Sequence, residues 1–417
     1  MFKNYICALD IGSNKISASV ASIKNKEVGE IFFASAPSKG VKRGSIVDPV
    51  ELTVSVGGLL RVLKEKSGLR IKQLLVNISG EDIRVKHSRA ILPLAERGNK
   101  IITLSDIQKV NDQARILGSC LEEDIIHLMP FNYAIDSKAD ILNPLGLYSH
   151  RLEVDLFLVC AKMSSLQSLG RVINQAGYEV KKICFSGLAT CKAVFGKEIN
   201  EGINVLCDIG SDVTELLVFK DGLLKDIKIL YLGGSDLTDG IAKELKIPFE
   251  LAEEVKKSHS SVGDSSSIQD DREILIKKDN LYKPIKQKLV AEILTSNVKL
   301  ISQAIKDTVE KTVSCNQVNS FVVTGRTVLE DGFLETLEGV LDIPVRLGRV
   351  MNPSLSPLVN NADDMVGQKY VTYLTSLGMI CDSLPGLDAR VFTLSRPSKN
   401  IFIKTARRMK EMYLEYF

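Results

Sequence analysis

Asp10 and Asp208 each end an apolar run and open the same four residues, Asp-Ile-Gly-Ser. In the first copy Cys7-Ala8-Leu9 leads in, and Ile16-Ser17-Ala18-Ser19-Val20 follows the turn. In the second, Val205-Leu206-Cys207 leads in and Leu216-Leu217-Val218-Phe219 follows. A glycine at such a turn lets backbone N–H groups approach an anion, and successive amides form an anion-binding concavity. The aspartate before it can hold a hydrated cation or a water beside that anion. Two such turns face to face would clamp a phosphate chain between similar lobes. Taken singly, either copy is an ordinary hairpin, because Asp and Gly are common turn residues. Recurrence in matching context turns the reading toward a duplicated site.

Other candidates follow along the chain. Gly233-Gly234 precede Ser235-Asp236-Leu237-Thr238-Asp239, where Ser235 is expected to cap a helix carrying Leu237, Ile241 and Leu245 on one face. Paired glycines before a helix start give a second place for backbone to approach a ligand. Glu253 and Lys256 stand three apart on a helix expected from Phe249 to Lys257. Spacing alone leaves a solvated ion pair and a functional pair equally open. His87 and His127 lie alone in strand-like runs and read as structural. The eight cysteines form no Cys-x-x-Cys pair and read as small hydrophobes in a reducing compartment.

The elements that must position these residues alternate as in an α/β protein. Each Asp-Ile-Gly-Ser segment joins two strands, and Glu30–Ala34 adds a third beside the first pair. Asp48-Pro49 opens a helix ending near Gly68, and Leu74–Ile78 follows as a buried strand. From Glu81 to about Lys162 the texture changes to a small α+β insert: a strand at Ile83–His87, a helix capped by Ser105-Asp106, and strands at Ile125–Pro130 and Leu152–Ala161. A helix over Leu166–Ala176, a strand over Val180–Phe185 and a helix over Gly187–Phe195 lead into the second hairpin. Ser258–Asp271, rich in Ser, Asp and Gly, reads as a mobile loop. A long helix spans about Leu289–Lys311, Phe321–Val323 is a buried strand stopping at Thr324-Gly325, and a helix follows Gly332. Lys369–Met379 reads as a further helix.

At 417 residues the chain is long enough for two or more domains with sizeable cores. A net charge of +3 implies no nucleic-acid partner. Asp10 interrupts any signal-peptide core, and no apolar run approaches the ~20 residues of a membrane span, so the chain reads as cytoplasmic. In Asn400–Phe417, Phe402, Ala406, Met409, Tyr413, Tyr416 and Phe417 share one side of a helical wheel. Lys404, Arg407, Arg408 and Lys410 fall opposite, and Leu414 is the misfit. A cationic amphipathic helix at a terminus suits a lipid interface. Packing on its own domain or on a protein partner are the competing readings.

Strand–Asp-Ile-Gly–strand repeated, then Gly-Gly-Ser-Asp-Leu-Thr-Asp before a helix, then strand–Thr-Gly before another, resembles the actin-like ATPase superfamily. Within it the chain resembles the FtsA family, bacterial actin homologues of cell division. The most specific stretches are Leu128–Asp136, Ile141–Leu147 with Arg151–Val154, and Ala252–Lys256. The resemblance implies an actin-like ATPase fold of two duplicated lobes, with a small α+β insert and a C-terminal amphipathic helix. By that layout residues 1–81 and 163–200 form the first lobe, 82–162 the insert, and 201–240 with 320–386 the second lobe. Residues 241–319 form the subdomain beyond it, 387–399 a linker and 400–417 the membrane-targeting helix.

The same resemblance implies ATP and Mg²⁺ as cofactors. Asp10, Gly12, Ser13 and Asn14, with Lys15 beside them, would form the first phosphate loop. Asp208, Gly210, Ser211 and Asp212 would form the second. Asp10 and Asp208 are the candidate catalytic residues, near Mg²⁺ through water. Gly233 and Gly234 would lie beside the nucleotide, Glu253 and Lys256 at ribose and adenine, and Gly325, Arg326, Thr327 and Val328 around the adenosine.

Three departures stand out. Ser211 and Asp212 replace the usual glycines, Arg326 replaces the second glycine of the adenosine motif, and Cys191-Lys192 stand where actins place a water-orienting glutamine. Slow or absent hydrolysis is the expectation. Implied partners are the C-terminal peptide of FtsZ, further copies of the chain in a filament, membrane lipid through the tail (Phe402, Met409, Tyr413, Tyr416 and Phe417), and later division proteins. The implied location is the cytoplasmic side of the membrane at the division site. Lys283, Lys286 and Lys288 are candidates for receiving an acidic peptide. The alternatives are a PilM-like pilus or secretion adaptor and a small-molecule kinase of the same superfamily.

Overall fold

The computed structural model describes residues 4–384 apart from 25–26, 96–97, 137, 142, 197–198, 200, 260, 264–272, 279–280, 361, 363–364 and 366. The tail helix and its five lipid-facing candidates, the linker at 387–399 and most of the Ser258–Asp271 stretch lie outside the described residues.

Met1–Asp82 with Ser164–Leu387 makes one compact unit, and Ile83–Met163 belongs to a second. The first unit contains two five-stranded sheets of the same design. In one, β1 (Asn4–Ile11), β2 (Lys15–Lys24) and β3 (Glu27–Pro37) run antiparallel, and β4 (Gln73–Ile78) extends the sheet parallel to β1. Glu179–Phe185 closes that sheet, parallel to β4. The other sheet pairs Ile203–Ile209, Thr214–Lys220 and Leu223–Leu230 antiparallel, then adds Val318–Thr324 and Val345–Leu347 in parallel. Central strands buried on both faces demand continuous apolar runs. Val205, Leu206 and Cys207 are fully buried, as are Ala8 and Leu9.

Helix α1 (Pro49–Ser67) shows how local chemistry sets the boundaries. The Asp48 carboxylate accepts from the Val50 and Glu51 N–H groups at 3.0 Å, Pro49 supplies a pre-set φ, and Gly68 at φ +64° ends the helix. Its buried face is Leu52, Val56, Leu59, Leu60 and Leu63, each contributing about 2 kcal/mol by leaving water.

Three expected boundaries shift. The second unit's helix, α2 (Leu104–Gly118), is capped by Thr103 rather than Ser105-Asp106, because Asp106 sits three residues on and returns a bond to the Thr103 N–H. The helix after the paired glycines, Gly234–Leu245, is capped by Gly233 rather than Ser235, with Asp236 accepting from the Gly233 N–H at 2.7 Å. Lys369–Tyr373 is a 3₁₀ turn, and the α-helix begins at Leu374 and runs to Ser383. Sequence reading also missed the hairpin of Glu273–Lys278 with Leu281–Lys286.

The second unit stacks α2 on a sheet whose central strands are Glu123–Ile135 and Arg151–Lys162. The His87 ring centroid lies 4.1 Å from that of Phe157, with the planes tilted by 55°. Among the cysteines Cys120 alone is exposed.

Candidate functional site

The two Asp-Ile-Gly-Ser turns close the same way. The Gly12 N–H donates to the Lys15 carbonyl at 3.0 Å, and the Gly210 N–H donates to the Val213 carbonyl at 2.9 Å. Their ladders are in matching register, Ile11 opposite Ile16 and Ile209 opposite Thr214. A Cβ at Gly12 would sit 3.0 Å from the Lys15 oxygen, and one at Gly210 2.9 Å from the Val213 oxygen, so both turns leave too little room for a side chain.

Neighbouring strands and loops hold the turns in place. The Asn77 side chain, on β4, accepts from the Ile11 N–H at 2.6 Å and donates to Ser186 Oγ at 2.9 Å. The Gly210 carbonyl accepts from the Thr327 hydroxyl at 2.8 Å and from the Gly234 N–H at 3.0 Å. Gly233 passes so close that a Cβ there would meet the Gly210 oxygen at 2.4 Å.

Asp10 and Asp208 are both half-buried in the cleft behind these turns. Burial, reinforced by the charge of Asp208, pushes the Asp10 carboxyl up to about 7. Burial also raises Asp208, although the Thr190 hydroxyl donates to it at 3.2 Å. Glu215 joins them, pushed up to about 8 by burial and then by Asp208, and accepting from the Ser79 hydroxyl. Facing them are cations that repel one another: Lys15 is driven down to about 8 by burial and by the charge of Arg326.

Carboxylates crowded in a low dielectric suit a hydrated dication, and converging cations beside pinched amide turns suit phosphate oxygens. The residues present therefore fit a nucleotide phosphate tail with its metal. Among the described residues no three acidic, His or Cys side chains are grouped to hold a metal directly.

Asp10, Gly12, Ser13, Asn14, Lys15, Asp208, Gly210, Ser211, Asp212, Gly234, Glu253, Lys256, Gly325, Arg326 and Thr327 all line one cleft. Two expected residues do not: Gly233 packs behind the second turn, and Val328 is buried in the core of its lobe. Glu253 and Lys256 form an ion pair at 2.7 Å. The Lys256 ammonium also donates to the Gly234 carbonyl at 2.9 Å and to the Thr238 hydroxyl at 2.7 Å, and that hydroxyl donates to Glu253 at 2.5 Å. Burial opposes ionisation of Glu253, but the bonds from Lys256 and Thr238 outweigh it and hold its carboxyl low. The pair thus fastens the start of Gly234–Leu245 to Phe249–His259. Gly325 adopts φ +92°, and a Cβ there would meet the Ile209 oxygen at 2.1 Å.

Cys191 and Lys192 are not at the cleft wall. Cys191 is fully buried, and Lys192 pairs with Asp382, as does Lys182. Thr190, one residue earlier, donates to Asp208. Sequence reading missed Glu215, Asn77 and Thr190. For Glu215 the signal was present, since the residue seven after each aspartate, Ser17 or Glu215, falls opposite it once register is counted through the turn.

Two family models match the chain: Cell division protein FtsA over residues 205–374 and the SHS2 domain inserted in FtsA over residues 80–160. The chain belongs to the FtsA family. The FtsA of Bacillus subtilis is 26% identical over 375 residues, covering 89% of this chain and 82% of that one. The FtsA of Escherichia coli K12 is 23% identical over 392 residues, covering 91% and 90%. Among solved structures, the PilM-PilN type IV pilus biogenesis complex superposes with a TM-score of 0.62 at 14% identity, covering 91% of this chain and 98% of that one. That likeness speaks for the actin-like fold alone, whereas the FtsA match rests on sequence. It makes the protein an actin-like member of a cell-division family.

Proposed function

We propose that the protein binds ATP with Mg²⁺ between its duplicated sheets and serves as an actin-like scaffold of cell division. It polymerises on the inner face of the cytoplasmic membrane, tethers FtsZ there and recruits later division proteins. The observation that carries this reading is the pair of turns at Gly12 and Gly210, closed by the same hydrogen bond in the same register, with Asp10 and Asp208 behind them.

In this reading the amides after Gly12 and Gly210 grip phosphates, with Lys15 and Arg326 neutralising charge. Asp10 and Asp208 hold the metal's waters. Glu253, Lys256, Gly325 and Thr327 border the nucleoside. Hydrolysis is slow or absent, in keeping with Lys192 being committed to Asp382. The FtsZ peptide docks beyond the second lobe, within residues 241–319, where Lys286 is exposed. Among the described residues no helix is long and apolar enough to cross a membrane. Attachment then rests on the 400–417 helix, whose single-copy affinity is modest and is multiplied along a filament.

Calorimetric titration of the full chain with Mg-ATP tests the reading. Saturable binding lost in Lys15→Ala is expected. A dissociation constant weaker than about 1 mM for the unaltered chain overturns it, and turnover faster than about one per second overturns the slow-hydrolysis part.

A further inference from the structure

Asp212 stands third after Ile209, in the second turn, yet its carboxylate is bonded to Arg43 of the other lobe. The Arg43 N–H donates to Asp212 Oδ2 at 2.9 Å. The Gly44 N–H beside it donates to Ser13 Oγ at 3.2 Å. From its own side, Ser235 Oγ donates to Asp212 Oδ1 at 2.5 Å. Arg43 and Gly44, at φ +49° and +77°, are the two turn residues between the paired strands Val41–Lys42 and Ser45–Ile46, which turns the Arg43 N–H toward Asp212.

The donors gathered on Asp212 come from both halves of the clamp: Arg43 from one, Ser235 from the other. None belongs to the Glu253, Lys256 and Gly325 end, where the nucleoside is placed. The part of a phosphate chain that reaches furthest from the nucleoside and spans both turns is its terminal group. Asp212 therefore holds the donors that group needs, and brings a negative charge to the same place. Like charges so juxtaposed discriminate strongly against a ligand.

We propose that Asp212 is a resident anion standing in for a terminal phosphate, which makes the cleft selective for nucleoside diphosphates over triphosphates. This rests on the nucleotide reading above and adds to it a preference that the paired turns alone do not give.

The test titrates ADP and ATP, each with Mg²⁺, into the full-length protein and its Asp212→Asn and Asp212→Gly variants. Asparagine keeps an acceptor for the Arg43 and Ser235 donors while removing the charge, so it separates repulsion from loss of fold. The unaltered protein is expected to bind ADP at least tenfold more tightly than ATP. Both variants should shift the ATP-to-ADP affinity ratio toward ATP by at least tenfold. A smaller shift, with ADP still bound, overturns the inference and leaves the nucleotide site standing. A loss of ATP affinity in Asp212→Asn also overturns it, because that is the sign expected of a carboxylate that holds the metal instead. Failure of all three proteins to bind either nucleotide removes the site itself.

Discussion

Glu215 faces Asp208 across the second hairpin, as Ser17 faces Asp10 across the first. The two halves of the clamp thus differ by one buried carboxyl, and that carboxyl has a consequence for pH. Glu215 rises from an ordinary 4.5 to about 8, and Asp10 from 3.8 to about 7. The folded state keeps protons that the unfolded chain releases. The resulting stability is full below the ordinary carboxylate values and is lost as pH rises through about 7 to 8. Glu215→Gln removes its share, so the fall in melting temperature from about pH 6 to about pH 9 should be smaller in the variant. An equal fall in both proteins would show that Glu215 is not buried as a neutral acid.

Gly325 carries two constraints at once, a left-handed φ and a backbone oxygen 2.1 Å from where a Cβ would lie. Gly146, at φ +83°, has open space around it. Alanine at Gly146 should cost about 1 kcal/mol of strain. Alanine at Gly325 should cost more than twice that, since Ile209 must also move. Denaturant unfolding of the two variants checks the difference.

Lys256 is buried against Glu253, Thr238 and the Gly234 carbonyl. Lys256→Met removes the buried cation and its bonds to the Gly234 carbonyl and Thr238. That leaves half-buried Glu253 only the more exposed Lys257, at 3.2 Å, as a cation, and destabilises by roughly 1–2 kcal/mol. Urea unfolding should show the loss even without nucleotide. A variant as stable as the parent would mean that Glu253 is already hydrated there.

Deleting residues 400–417, or changing Phe402 and Met409 to charged residues, should abolish pelleting with anionic lipid vesicles while leaving the melting temperature unchanged. Pelleting that survives either change places the membrane contact elsewhere on the chain.

The sheets were legible because their signal is local: apolar runs, a repeated tetrapeptide, a Pro after an Asp. The cleft was legible only in part. The repeat stops at Ser13 and Ser211, so it pointed to the turns and missed Asn77 and Thr190, which reach them from elsewhere in the fold, and Glu215, which lies on the second hairpin's return strand just beyond the repeat. Ser235 looks like the better cap by residue type, but Asp236 bonds back to Gly233 and the backbone there lies too close to Gly210 for any side chain. Lys192 drew attention by its place in a motif, and its partner Asp382 lies 190 residues away. Long-range pairing of that kind leaves no periodic trace.

In each turn the glycine is locked by its contact with the carbonyl three residues on, whereas the next positions, Ser13 with Asn14 and Ser211 with Asp212, carry side chains into the cleft. Descendants of such a duplication can exchange those residues without disturbing either sheet. Ligand preference in this architecture is therefore free to drift between lineages while its scaffold stays put.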